Sequence, residues 1–217
     1  MRKWMIALSA CILSGTGCIA QLYIEPIAGY QYDLNNHGHF NQLNTGVQAA
    51  FSKGRNYELV VKVQKSWGFP YRSSDSSFTA NPSLPLYAAA NKTIRPSIWF
   101  FSVDHRFKIN SRNPKQRFSF LLLTGFTDQR LTVNYQYDKV HYTILNPDAT
   151  QKMFSLYVGA GVEYMRFIGN NRVFAQLTIS SPPVSNAIKY PSSFSYMAPL
   201  AFNAGYSIFI KKKKHEK

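Results

Sequence analysis

Residues 194–210 read FSYMAPLAFNAGYSIFI. Side chains on a strand alternate between its two faces. Read that way, the stretch puts Phe194, Tyr196, Ala198, Leu200, Phe202, Ala204, Tyr206, Ile208 and Ile210 on one face. Ser195, Asn203, Gly205 and Ser207 take the other. One face is greasy along its whole length and the other is small and polar.

Seven more segments follow the same period of two. Leu22, Ile24, Pro26, Ala28, Tyr30 and Tyr32 oppose Tyr23, Glu25, Ile27, Gly29, Gln31 and Asp33; Leu43, Thr45, Val47, Ala49 and Phe51 oppose Gln42, Asn44, Gly46, Gln48 and Ser52. Tyr57, Leu59, Val61, Val63, Trp67 and Phe69 oppose Glu58, Lys62, Gln64, Ser66 and Gly68. Trp99, Phe101, Val103, Phe107 and Ile109 oppose Ser102, Asp104, Arg106 and Lys108. The remaining three begin near Phe118, Phe154 and Val173, with Ser119, Gly125, Gly159, Gly161, Glu163 and Gln176 among their polar positions.

A soluble β-sandwich alternates too. Three features choose instead an all-β, eight-stranded antiparallel up-and-down barrel that crosses a membrane. The apolar faces are long and bulky, and the polar faces hold glycines that would serve a solvated surface badly but fit a narrow lumen. Four acids, Glu25, Glu58, Asp104 and Glu163, share inward parity with Lys62, Arg106 and Arg117, so an ion-paired lumen is expected from these seven residues. Charge on the hydrocarbon side would cost ~2–4 kcal/mol each. Finally, connections alternate in length: residues 52–56, 110–115 and 169–171 are short, whereas 71–95, 128–152 and 181–193 are long. Outer-membrane barrels have short periplasmic turns and long external loops.

Composition agrees. The chain has 217 residues, 45% hydrophobic, 15% aromatic and 16% charged, with 25 Lys+Arg against 10 Asp+Glu for a net +15. With 16 Phe and 14 Tyr it is no disordered chain. Its two cysteines, Cys11 and Cys18, exclude a disulfide scaffold. No apolar run long enough for a spanning helix follows residue 20.

The opening residues 1–20 are expected to be an export signal. Arg2 and Lys3 precede the apolar run Met5–Leu13, and Cys18-Ile19-Ala20 offers small residues for cleavage before Gln21. A second export reading lipidates Cys18. Residues 21–210 then form the barrel and 211–217, KKKKHEK, a basic periplasmic tail.

In pattern across residues 21–210 the chain resembles the small eight-stranded outer-membrane barrels of the OmpA/OmpX type, particularly those of Bacteroidota. The last strand also resembles their insertion signal, polar-x-Gly-x-x-apolar-x-apolar, at Asn203, Gly205, Ile208 and Ile210. The resemblance implies recognition of that strand by the barrel-assembly machinery. The lysine tail departs from the usual aromatic end.

Pro26 and Pro199 fall on the first and last strands, each removing a ladder donor from the closing seam. Near Asp128-Gln129-Arg130 the apolar set changes parity to Leu131, Val133, Tyr135 and Tyr137, which predicts a β-bulge. Residues 132–145 are expected to project beyond the membrane, as a hairpin turning near Asp138-Lys139.

A lumen filled by side chains implies no diffusion pore. No nucleophile-elbow, zinc-protease or phosphate-loop motif is present, and no cofactor or metal site is expected. His37 and His39, beside Asp33 in the first loop, are the one candidate acid–base or metal pair, which would suit an enzyme acting on outer-membrane lipid. His105 has lipid-facing parity. Lys53, Arg55, Lys108, Arg112, Lys115, Arg117, Arg166 and Arg172 lie near the short turns and are expected to meet anionic headgroups rather than nucleic acid. The leading expectation is a structural or surface-interaction barrel whose partner binds loops 71–95 and 128–152. A lipid-modifying enzyme and an accessory barrel of a secretion or transfer complex are the alternatives.

Overall fold

The computed structural model describes residues 21–33, 41–53, 56–109, 113–144, 150–180 and 199–210. Those residues form nine strands: β1 (Gln21–Asp33), β2 (Gln42–Lys53), β3 (Tyr57–Gly68), β4 (Tyr71–Phe78), β5 (Tyr87–Ile109), β6 (Gln116–Gln136), β7 (Thr150–Ile168), β8 (Asn171–Ser180) and β9 (Pro199–Ile210). The expected export signal, His37, His39 and the basic tail lie outside the described residues, as do Phe194, Tyr196 and Ala198.

Eight strands close a ring. Each of β1, β2, β3, β5, β6, β7, β8 and β9 pairs antiparallel with the next, β3 pairs directly with β5, and β9 returns to β1. Closure removes the sheet edges that a sandwich would keep. At one end lie the starts of β1, β3, β6 and β8 and the short connections; at the other lie the long ones. The β7–β8 connection is just Gly169-Asn170, with Gly169 at φ +62, the left-handed backbone such a tight hairpin needs.

The outer wall is apolar. Leu43, Val47, Trp67, Phe120, Leu156, Val158, Val162, Phe202 and Ile208 all point outward and are exposed. From Tyr57 to Trp67 the wall advances ten residues along β3, about 25 Å for a strand tilted near 40°. That matches a hydrocarbon core. Aromatic rings mark both margins: Trp99, Phe101, Phe126 and Phe154 stack in a chain at centroid distances of 6.2, 4.8 and 5.2 Å. Tyr57–Phe107 and Phe118–Tyr164 pair near the turn end. The barrel is a transmembrane one.

Two expectations need correction. First, the pairing of β6 with β5 and with β7 runs residue for residue through Asp128, Gln129 and Arg130, so there is no bulge. Leu131 and Val133 keep the inward parity of Thr127 and Gln129, and all four are buried. Beyond the hydrocarbon the solvent outside the sheet is water, so the apolar residues change face while the strand stays regular.

Second, 71–95, expected to be a long loop, is largely strand. Residues 71–78 form β4, which pairs with 87–94 of β5, and β5 continues against β6 as far as Asn91–Gln136. A three-stranded sheet therefore stands above the ring. Ile94 and Val133 pack together in it beside Tyr71 and Tyr135. Asp138 begins a turn, closed by Tyr142 N–H donating to the Asp138 carbonyl. The returning chain then crosses to β4, where Phe78 and Thr143 exchange backbone hydrogen bonds. Among the described residues it makes no hairpin with β6.

Candidate functional site

The lumen concentrates the chemistry. Among the described residues, inward parity brings eight charged side chains into it, all buried: Glu25, Glu58, Asp104 and Glu163 against Lys62, Arg106, Lys108 and Arg172. Four negative charges meet four positive ones, so the formal charge of these eight residues is zero.

Arg106 on β5 sits at the centre. Its guanidinium donates to Glu58 at 2.6 Å, to Glu163 at 2.8 Å and to Glu25 at 3.1 Å. Arg172 on β8 forks between Glu25, at 2.6 Å, and Glu58, at 2.9 Å, and its Nε donates to Ser207 at 2.9 Å. Lys108 meets Glu58 at 2.7 Å. Gln48 and Ser207 donate to Glu25, and Gln176 donates to Glu163. The network thus ties β1, β2, β3, β5, β7, β8 and β9 to one another. Lys62 and Asp104 form a separate pair at 2.8 Å.

Of the seven residues expected in the network, Glu25, Glu58, Arg106 and Glu163 come together in it, Lys62 and Asp104 pair apart from it, and Arg117 stays out, while two residues are added. Arg117 lies at the turn-end mouth with its guanidinium over the Phe167 ring at 5.0 Å, and among the described residues it bonds no carboxylate. Conversely, Arg172 and Lys108, expected to meet headgroups, point into the lumen. Parity carries the signal: Arg172 shares its face with Phe174, Gln176 and Thr178, and Lys108 with Arg106.

Sequence reasoning also missed an apolar layer in the lumen. Ile98, Phe100, Leu121, Leu123 and Tyr157 cluster there, buried, with Phe100 and Tyr157 edge to face at 5.9 Å. The runs Ile98-Trp99-Phe100-Phe101 and Phe120-Leu121-Leu122-Leu123 show it, because an unbroken apolar run belongs to a strand covered on both faces. Arg106 and the network carboxylates Glu25 and Glu58 are 0% exposed. A channel wide enough for water would leave them some surface.

A cavity of about 230 Å³ opens at the turn end, lined by Tyr23, Glu58, Lys108, Arg117, Arg172 and Phe209 among others. Its floor is the ion network itself. His105 faces outward on β5, where its Nδ1 bonds the Tyr57 hydroxyl at 2.7 Å. Among the described residues no three His, Cys, Asp or Glu side chains gather to hold a metal.

No protein-family model and no curated relative matches the chain. Solved structures similar to it include Ail, the attachment invasion locus protein of Yersinia pestis, at 10% identity and TM-score 0.45 over 88% of this chain and 97% of that one. The N-terminal β-barrel domain of Pseudomonas aeruginosa OprF is similar at 13% identity and TM-score 0.42, over 86% and 97%. Neisserial surface protein A is similar at 8% identity and TM-score 0.44, over 88% and 96%.

Proposed function

We propose that the protein is an outer-membrane barrel, closed to diffusion, that presents the β4–β5–β6 extension to a partner outside the cell. The observation that carries this reading is the extension: β5 has 23 residues and β6 has 21, against 12 in β2 and β3. A lumen plug needs no such sheet. Its tip is apolar and exposed, with Leu86, Tyr87, Phe78 and Val140 close to the point where Tyr142 donates to the Pro85 carbonyl. Exposed apolar patches of this kind mark interaction sites. The polar β4 edge, with Ser73, Ser74, Asp75 and Ser76, guards against indiscriminate strand pairing.

In this reading both termini and the short turns are periplasmic, outer-membrane lipid surrounds the wall, and Asn203, Gly205, Ile208 and Ile210 serve insertion by the assembly machinery. The lipid-modifying alternative rests on His37 and His39, outside the described residues, and nothing in the described barrel adds to it.

Single cysteines test placement and sidedness, because the chain has no cysteine after Cys18. On intact cells Val140→Cys should react with a membrane-impermeant maleimide and Asn170→Cys should not. The reverse pattern would overturn the orientation, and labelling of both without detergent would overturn the membrane reading. The interaction role is tested by removing residues 72–93 and 133–149 together. The trimmed barrel should stay folded and lose adhesion of expressing cells to immobilised extracellular proteins; unchanged adhesion would refute the role.

A further inference from the structure

The outer wall carries a second feature, at the margin farthest from the termini. Register places Lys65, Trp99, Asp128 and Phe154 in one row across β3, β5, β6 and β7. The next row holds Trp67, Ser97, Arg130 and Lys152. Arg95 follows two residues beyond Ser97 on the same face. Directly opposed side chains lie about 5 Å apart at Cβ and diagonal ones about 7–8 Å, so Arg95, Arg130 and Lys152 adjoin one another across β5, β6 and β7, and Lys65 extends the face one row below, with β5 between it and Arg130.

The patch is unbalanced. Asp128 is the one carboxylate in these rows, and Arg130 and Lys152 face each other as a like-charge cross-strand pair, an arrangement that destabilises a sheet. Among the described residues neither has a carboxylate within ion-pair distance. Lys65 is already held, its Nζ 2.6 Å from the Ser97 hydroxyl and 4.8 Å above the Trp99 ring, and the charges of Arg130 and Asp128 both reach it. Directly below, Trp99, Phe154, Leu156 and Val158 continue the acyl-facing wall. A molecule that fits both halves carries phosphate at the headgroup and hydrocarbon beneath it.

We propose that the face formed by Lys65, Arg95, Arg130 and Lys152 binds a phosphorylated acyl glycolipid of the lipid A class. Its phosphates sit between Arg130 and Lys152, and its chains lie along Phe154, Leu156 and Val158. This rests on the membrane orientation proposed above, which puts the patch at the outer leaflet. At the turn-end margin Arg166 is the outward-facing cation of β7.

Native mass spectrometry of the full chain in a non-ionic detergent tests the proposal, with bisphosphorylated lipid A, dephosphorylated lipid A, phosphatidylglycerol and inorganic phosphate as probes. Bisphosphorylated lipid A should be retained by the wild type and by Arg166→Gln. The double variant Arg130→Gln/Lys152→Gln should hold it roughly thirtyfold more weakly, each basic residue near an anionic surface being worth about a factor of five. Should that variant fail to fold, Lys65→Gln alone should show about a fivefold loss. Equal retention by wild type and variants, equal binding of dephosphorylated lipid A or phosphatidylglycerol, or displacement by millimolar phosphate would each overturn the proposal. Folding is read separately by heat-modifiable gel mobility. A wild type that stays soluble without detergent would overturn the membrane reading itself, whereas a folded wild type that retains no lipid A overturns the binding site alone.

Discussion

Arg172 shows how much one buried cation can hold. It bonds two carboxylates and a hydroxyl drawn from β1, β3 and β9, and its guanidinium lies 4.0 Å over the Tyr23 ring. Removing one member of a buried ion cluster strands its partners, at a cost of about 3–5 kcal/mol. Arg172→Met should therefore unfold at markedly lower urea, read as loss of the heat-modifiable form, and Arg106→Leu should behave alike. Removing the isolated pair Lys62 and Asp104 together, as Lys62→Met/Asp104→Leu, should cost far less, because no charge is orphaned. Equal losses in all three would mean the central cluster has no special share in stability. Arg172 was readable from its parity with Phe174 and Gln176. Proximity to the Gly169-Asn170 turn hid it, since basic residues beside turns are usually solvated. What no periodicity could show is which carboxylate each guanidinium meets, because Glu25 and Arg172 are 147 residues apart in sequence.

Among the elements, the seam between β1 and β9 and the extension above β5 behave differently from the rest. The β1–β9 ladder pairs Ile24 with Ile208 and resumes at Ile27 with Gly205, leaving Glu25 and Pro26 without registered partners. Pro26 has no N–H to donate, and the contacts of Glu25 with Ser207 and Arg172 bridge the gap with side chains instead. Amide exchange should accordingly be fastest at this seam within the membrane-embedded wall; uniform protection across all eight strands would contradict it. The extension depends on its own small core. Val133→Lys should expose β4 and the 137–144 segment to limited proteolysis while leaving the heat-modifiable barrel intact, and joint loss of both would show that they fold as one unit. In that segment the Asp138 carboxylate accepts from His141 Nδ1 at 2.7 Å and from the Val140 N–H, which hold its pKa below the ordinary aspartate value. Its contribution is complete above the ordinary value and disappears as the pH falls through the lowered one. The Asp138 side-chain carboxyl resonance should thus report loss of the contact below the ordinary aspartate range. Alternation made the ring strands legible, but it misread the extension. A period-two pattern records which face is covered, and at Leu131 the covering medium changes from lipid outside to protein inside.

For the molecule as a whole, the arrangement inverts that of a soluble domain. Charge lies at the centre, neutralised four against four, while Val158, Val162, Leu156 and Phe202 look outward. A water-soluble protein of this design would expose a continuous apolar belt, whereas in hydrocarbon the same belt is the favourable surface and the interior need only be self-consistent. The small lumen residues follow from this geometry. A Cβ on Gly161 would meet the Leu177 carbonyl and the Thr178 side chain, both at 2.6 Å, so inward glycines give the packed interior its space. The two faces of β7 therefore give opposite expectations. Val158→Arg, outward near the middle of the wall, should destabilise the barrel in phospholipid vesicles by roughly 2–4 kcal/mol, the penalty for a basic side chain at the bilayer midplane. The same change at Phe154, close to the aromatic margin, should cost no more than about 1 kcal/mol beyond its lost ring contacts. Depth sensitivity of this kind has no source in water, where an exposed Val→Arg change on a strand is nearly neutral. Urea titrations of the two variants in vesicles measure the difference. If Val158→Arg and Phe154→Arg proved equally mild, the wall would not be facing acyl chains, and the outer-membrane function and the lipid A site would both lose their premise.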